Sequence, residues 1–355
     1  MSHFIQLHIL TTYAAANLNR DDTGKPKTLK FGGAERLRIS SQSLKRAYRT
    51  SDLFAGLLPD GLGKRSTAFA DALVKALIAR GLSEDEAITR AEAVIDNDRL
   101  GKVKKGKART EQLVHLGPDE LTLLNDLAER LAQAELPDLK GLTVLKHKPR
   151  AADIAMFGRM LADNSGYNVE AAVQVAHAFT THRVTVEDDY YTAVDDFKNE
   201  DREQDRGAGF IGIHQFGAGL FYLYININAD LLLSNLSGDR ELAKATLRAL
   251  IESAAKVSPT GKQNTFASRS RAGYILEEIG QEAPRSLAPA FQTPVGSQGE
   301  NDYFSASIKR LEGLRDRFAR AYGDDLESHT LNIEEENSKG LSDLIAAAQA
   351  VIDRI

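Results

Sequence analysis

The 355-residue chain contains no cysteine and no tryptophan. The first absence excludes disulfides and thiolate metal ligands, and it suits a reducing compartment such as the cytoplasm. The second removes the indole ring, so stacking on a nucleobase must fall to Tyr or Phe, and aromatic residues make up only 7% of the chain. No apolar run approaches the roughly 18–20 residues of a membrane span, and the N-terminal M-S-H-F-I-Q lacks the basic start of a signal peptide. A soluble chain without membrane contact is therefore expected. A formal charge of −5 argues against a general nucleic-acid coat, yet it is compatible with a groove where basic segments converge. The length suggests about two domains, or one domain with large insertions.

What is present is a concentration of positive charge near the N-terminus. Residues 18–50 carry Arg20, Lys25, Lys27, Lys30, Arg36, Arg38, Lys45, Arg46 and Arg49 against Asp21, Asp22 and Glu35, about +6 inside an acidic protein. Such a sign reversal is the electrostatic footprint of a nucleic-acid partner, although a solvated loop and helix face could carry the same residues. Within it, Gly32-Gly33 offers a backbone able to approach a phosphate. Ser40-Ser41-Gln42-Ser43 supplies hydroxyl and amide donors at a helix start.

Alternation over 4–10 predicts a half-buried strand, with Ile5, Leu7 and Ile9 on one face and Gln6 and His8 on the other. The spacing of Leu44, Ala47 and Tyr48 predicts a helix over 41–54 whose other side carries Lys45, Arg46 and Arg49. Residues 66–136 read as helices: one capped by Ser66 and stopped at Gly81, one opened by a Ser83–Glu86 capping box, and one over 119–135 after Pro118. Between them lies the basic segment 99–109, and a second basic patch follows at Lys140, Lys146, Lys148 and Arg150. Further on, the pattern predicts a buried strand over 154–160 and a helix capped by Asn168 with Val169, Val173, Ala176 and Phe179 on its apolar face. The irregular stretch 185–219 is long enough to be functional or a protruding hairpin. A strand over 220–228, a helix over 239–256, strands at 264–268 and 273–279, and a largely helical C-terminal third complete the order. The fold class expected is α+β, a sheet-and-helix domain interrupted by insertions.

Enzyme motifs do not assemble. Residues 207–212 spell G-x-G-x-x-G, but they follow an acidic run instead of leaving a strand and opening a helix, so hairpin glycines are the better reading. Gly63-Lys64-Arg65 fails as a phosphate loop. His177 and His182, five apart on the predicted helix, do not share a ligand face, and the adjacent Asp195 and Asp196 diverge. No nucleophile–base set or G-x-S-x-G occurs, so no catalytic residue, metal or cofactor is expected. Gly158-Arg159-Met160 is more informative, since a cation suits a phosphate and an apolar wedge suits a base step of single-stranded RNA. A methionine packed in the core is the plain alternative.

These motifs together resemble the backbone subunit of type I-E CRISPR Cascade, a CasC-type member of the "Cas seven" superfamily. The likeness rests on L-N-R-D-D, F-G-G and R-I-S-S-Q-S-L-K-R-A within 18–47, G-R-M at 158–160 and A-H-A-F-T-T-H-R-V at 176–184. Y-T-A-V-D-D at 191–196, G-L-F-Y-L-Y-I-N-I-N at 219–228 and G-K-Q-N-T-F-A at 261–267 continue it in order. It is weak over 55–150 and beyond 280.

The resemblance implies a hand-shaped, non-catalytic subunit that polymerises along a CRISPR RNA guide, beside other Cascade subunits, and presents the guide for pairing with target DNA. The palm would be a modified RRM-like, ferredoxin-like fold built from 1–54 and 219–355, with 151–183 joining it to helical fingers at 55–150 and a thumb hairpin at 184–218. Arg20, Lys27, Ser40, Gln42, Lys45, Arg46 and Arg49 would hold guide phosphates, with Arg49 replacing a lysine of the family. Arg159 and Met160 would lie against the guide near a kink. Tyr191 (in place of a phenylalanine), Thr192 and Val194 would begin the thumb. Lys140 and Lys146 align loosely with finger lysines that attract duplex DNA, and charge alone adds Lys102, Lys104, Lys105, Lys107 and Lys148 to that group. The superfamily's RNA-cleaving members place an Asp in the basic loop, so a metal-dependent ribonuclease using Asp21, Asp22 and the histidines is the rival. A structural role for both aspartates fits type I-E.

Overall fold

The structure is a computed structural model that describes residues 2–95, 100–104, 109–133, 143–193, 210–296 and 302–355. Its centre is β1 (Phe4–Ala16), a long strand flanked by two antiparallel neighbours. In chain order there follow the hairpin β2 (Thr28–Phe31) and β3 (Ala34–Ile39), then α1 (Ser41–Arg49) and α2 (Asp52–Leu57). Next come β4 (Lys64–Ser66), α3 (Phe69–Ile78), α4 (Glu84–Ile95), β5 (Val103–Lys104), β6 (Arg109–Thr110), β7 (Val114–Leu116) and α5 (Pro118–Leu131). After α6 (Ala152–Phe157) the chain makes β8 (Val173–Val175), β9 (Ala178–Thr180), β10 (Glu187–Ala193) and β11 (Phe210–Asn228). It closes with α7 (Ala229–Asn235), α8 (Arg240–Lys256), α9 (Gln263–Phe266), β12 (Tyr274–Gly280), α10 (Tyr303–Tyr322), β13 (Glu327–Asn332) and α11 (Leu341–Arg354).

The main sheet runs β13-β12-β1-β11-β9-β3-β2, with β8 and β10 also paired to β11. The class is α+β, as expected. On one face Ile5, Leu7, Ile9, Leu223, Ile225 and Ile227 pack with Leu44 and Tyr48 of α1, Leu247 and Leu250 of α8, and Leu344 and Ala348 of α11. On the other, Leu10, Tyr222, Tyr274 and Leu276 pack with Ile308 and Leu311 of α10 and with Leu287 and Phe291 of the loop before it.

That second cover overturns the expected half-buried β1. Gln6 and His8 are buried, because a polar network satisfies them beneath the 282–296 loop. His8 contacts the Tyr222 hydroxyl at 2.9 Å and Glu278 at 3.1 Å, and Arg285 grips Glu278 with two hydrogen bonds of 2.7 and 2.9 Å. Burial would push the Glu278 carboxyl up, but the His8 and Arg285 hydrogen bonds hold it down at about 2.

Several local expectations are corrected. Residues 154–160 are not a strand: α6 ends at Gly158, whose φ of +79° only glycine adopts freely. Residues 168–182 are not a helix but β8 and β9, which pair with β11. The 264–268 strand is instead the single turn α9, between left-handed Lys262 and Ala267. Ser66 ends β4, and α3 starts three residues later. The helix over 41–54 breaks in two where Ser51 caps α2 through the Phe54 amide. The C-terminal third contains the unforeseen β13.

The segment from α3 to α5 has its own apolar centre, including Phe69, Leu73, Leu77, Val94, Ile95, Leu124 and Leu131. The small ribbon β5–β6 lies within it, and β7 pairs with β4 just before it.

Gly32-Gly33 is a two-residue hairpin turn with φ of +59° and +76°, the geometry such tight connections require. A Cβ on Gly32 would overlap the Gln292 carbonyl oxygen, whereas Gly33 has open space around it. Gly32 therefore packs against Gln292, and only Gly33 faces open space. Gly33→Ala is expected to cost about 1 kcal/mol from the left-handed backbone alone, and Gly32→Ala about 2 kcal/mol or more. Thermal melts of the two variants test this ranking, and equal losses would contradict it.

Candidate nucleic-acid interface

Ser40 opens α1 by accepting a hydrogen bond from the Ser43 amide at 3.3 Å, and it is itself buried. Leu44, Ala47 and Tyr48 then turn inward, which leaves Gln42, Lys45, Arg46 and Arg49 on the outer side. These four line an open groove of about 600 Å³. Its far side is formed by Arg65 of β4, Leu113, His115 of β7, and Gly158 and Met160 after α6. Met160 is 83% exposed, so the core alternative for this residue does not hold.

The groove floor is charged and tightly organised. Asp153 of α6 is fully buried and accepts from His115 Nε2 at 3.0 Å, Arg49 at 3.4 Å and the Gly63 amide at 2.9 Å. Burial would raise its carboxyl, but the His115 hydrogen bond and charge, the Gly63 amide and the Arg49 charge hold it below the usual range. Lys45 extends over the Phe157 ring, 5.4 Å from its centroid. Half-burial lowers its ammonium pKa.

Arg159 departs from expectation. Its guanidinium is buried, chelates both Glu120 oxygens at 2.8 Å, and donates to the carbonyls of His115, Lys146 and Tyr167. All its donors are committed, so it supports the groove from behind and has nothing left for a phosphate. Arg36, counted in the +6 stretch, is likewise buried, donating to the Thr180 and Phe291 carbonyls.

Arg20 and Lys27 lie at the base of the loop before β2, Arg20 exposed and Lys27 half-buried. Asp21 closes that loop: one carboxylate oxygen accepts from the Thr23 hydroxyl and from the Thr23 and Lys25 amides, which hold it below the ordinary range. That oxygen is occupied by its own turn. His177 faces Arg38 at 2.9 Å, while His182 stacks on Tyr303 and accepts the Leu220 amide. Among the described residues no three His, Asp or Glu side chains gather as metal ligands.

In the hairpin, Tyr191 lies across from Gly212 and against His214, with ring centroids 4.3 Å apart. A Cβ at Gly212 would sit 2.5 Å from the tyrosine ring, which explains that glycine of the G-x-G-x-x-G match. Thr192 is exposed beside it. Lys102 and Lys104 are exposed near the β5–β6 ribbon, Lys146 pairs with Asp119 at 2.9 Å, and Lys148 donates to Ser234 at 3.0 Å. Lys105, Lys107, Lys140 and Val194 lie outside the described residues. Sequence reasoning missed Arg65, Leu113, His115, Asp153 and Phe157 as groove residues. The alternation of Val114, His115 and Leu116 hinted that His115 points away from the core, while Leu113 carries no sequence signal.

No curated protein sequence matches this chain. Among solved structures it is similar to a chain of a CRISPR RNA-guided surveillance complex, pre-nicking, at 31% identity and TM-score 0.85, covering 98% of this chain and 100% of that one. A chain of a second CRISPR RNA-guided surveillance complex shares 27% identity at TM-score 0.62, with 98% and 99% covered. The chain is thus homologous to subunits of such complexes. Its residues 5–354 match the CT1975-like protein family, and it belongs to that family.

Proposed function

We propose that this chain is a non-catalytic, guide-RNA-binding subunit of a type I-E-like CRISPR surveillance complex. Copies would polymerise along the guide in the cytoplasm, joined by other Cascade subunits, and leave the bases free for target DNA. The groove carries this reading: a row of Gln42, Lys45, Arg46 and Arg49 faces the exposed Met160. Cations that track a backbone beside an apolar side chain are the chemistry of single-strand binding without sequence preference. Sequence would then be read by base pairing and the backbone by protein.

The order β12-β1-β11-β9, with α1 after the first strand in sequence and α8 after the third, supports an RRM-like palm. The separate apolar centre spanning α3 to α5 supports fingers, and the β10–β11 pairing supports a thumb in which Tyr191 and Thr192 stand near the kink. Lys102, Lys104, Lys146 and Lys148 would attract target DNA, the last two after releasing Asp119 and Ser234. The Asp21 turn favours a structural role over the ribonuclease reading, since three donors fix one of its carboxylate oxygens within the loop.

Guide RNA should bind the wild-type protein with an affinity that falls steeply with salt and varies little with guide sequence. Lys45→Ala and Arg46→Ala should each weaken binding about 5- to 10-fold, the scale of one charge-assisted contact, at unchanged melting temperature. Salt-independent binding would defeat the reading. Unfolded variants would make these helix charges structural.

A further inference from the structure

We propose that the β4–β7 ribbon is a second wall of the guide site, where Arg65 contacts a phosphate and Leu113 joins Met160 in holding the same nucleotide. The inference rests on the reading of the groove as a guide site, and it adds a contribution from outside the main sheet.

Arg65 occupies the middle of β4, opposite His115 in the ribbon, and lines the groove across from α1. It is exposed and has no ion pair among the described residues. Two other arginines of the groove differ in this respect. Arg49 shares Asp153, and Arg159 is spent on Glu120. The unpaired positive charge facing the groove therefore comes from Lys45 and Arg46 on one side and Arg65 on the other.

Leu113 is 51% exposed and lines the same groove as Met160. Two large apolar side chains held open among cations gain nothing in the free protein. Covering one of them removes apolar surface from water, which favours the bound state. A nucleotide supplies both halves of the complement, an anion for Arg65 and a flat apolar face for Leu113 and Met160. Neither side chain can hydrogen-bond a base edge, so the contact would be indifferent to base identity.

The wall is fixed in place. His115, on the neighbouring strand, is held by Asp153 of α6, and the Gly63 amide at the ribbon's entrance donates to the same carboxylate. A Cβ on Gly63 would come within 2.8 Å of His115 Nε2 and of the Leu116 carbonyl, so the glycine permits this close approach.

The test measures binding of full-length protein to a guide-length RNA of arbitrary sequence across a salt series, with Lys45→Ala as the reference variant. Arg65→Ala should weaken binding about 5- to 10-fold and flatten the salt slope by about 0.7, the value for one phosphate contact on a single strand. Leu113→Ala should weaken binding about 3- to 10-fold at an unchanged slope, and Leu113→Met should restore it. If Arg65→Ala melts early, Arg65→Gln, which keeps the side-chain stem, carries the test. Loss of binding in Lys45→Ala with wild-type affinity and slope in both ribbon variants would overturn the second wall and leave the guide reading standing. Wild-type protein that binds RNA without salt dependence would overturn both.

Discussion

Arg159→Ala should destabilise the protein by about 3–5 kcal/mol, the cost of stranding a buried charge when its partner is removed. The partner is Glu120, which also accepts the Gly117 amide at 2.8 Å and the Lys146 amide at 2.7 Å. The guanidinium ties α5, the 146 loop, β7 and the Tyr167 turn to the strand bridge that Arg159 makes with Val169. Removing it leaves a fully buried carboxylate without its cation and takes a donor from three carbonyls. The adjacent Met160→Ala should leave the melting temperature nearly unchanged, because 83% of that residue is already in water, and should instead weaken guide binding several-fold. Urea unfolding of both variants, paired with RNA binding, separates the roles. A stable Arg159→Ala protein that loses only RNA affinity would return the guanidinium to the guide.

Glu277→Leu should stabilise the protein, and the gain should grow as pH rises. Glu277 lies on the face of β12 that carries Ile275 and Ile279 into the main core, and neither of its carboxyl oxygens has a partner among the described residues. Burial, aided by repulsion from Glu327, pushes this carboxyl up to about 8. Below pH 4.5 the group is protonated in both the folded and the unfolded chain and carries no penalty. Between 4.5 and 8 the unfolded chain releases the proton while the folded chain retains it, so stability falls as pH rises. The advantage of the variant should increase by roughly 3 kcal/mol between pH 5 and 7.5. Denaturant melts at the two pH values measure it, and a pH-independent difference would mean that Glu277 titrates as an ordinary carboxyl. Its neighbour Glu278 behaves in the opposite way. Held at about 2 by His8 and Arg285, it adds stability above pH 4.5 that is lost as pH falls towards 2.

The long periodic segments were legible in the sequence. β1, α1, α8 and the 220–228 part of β11 each run far enough for the alternation or the helical spacing to declare itself, and the α+β class follows from them. Short apolar runs were not. Residues 152–157 are buried nearly all round as a helix, and 173–180 form two strands of only three residues each, so neither displays a period long enough to distinguish the alternatives. The cationic helix of the groove could be named because its charges are local in sequence. Depth could not be read: Arg36 and Arg159 look like Arg38 and Arg46 until distant Phe291 and Glu120 close over them. The convergence of Arg65, His115 and Asp153 depends on contacts across as many as 90 residues, for which no local pattern exists.

The seam that joins the groove's two sides is built from the buried ion pair of Glu120 with Arg159 and from the buried Asp153 carboxylate that His115 holds. Mobile ions screen such sheltered pairs far less than they screen the exposed cations of α1. Ionic strength should therefore act on occupancy while sparing shape. A polyanion would be displaced from a cleft that keeps its width, ready to receive the next strand without rebuilding.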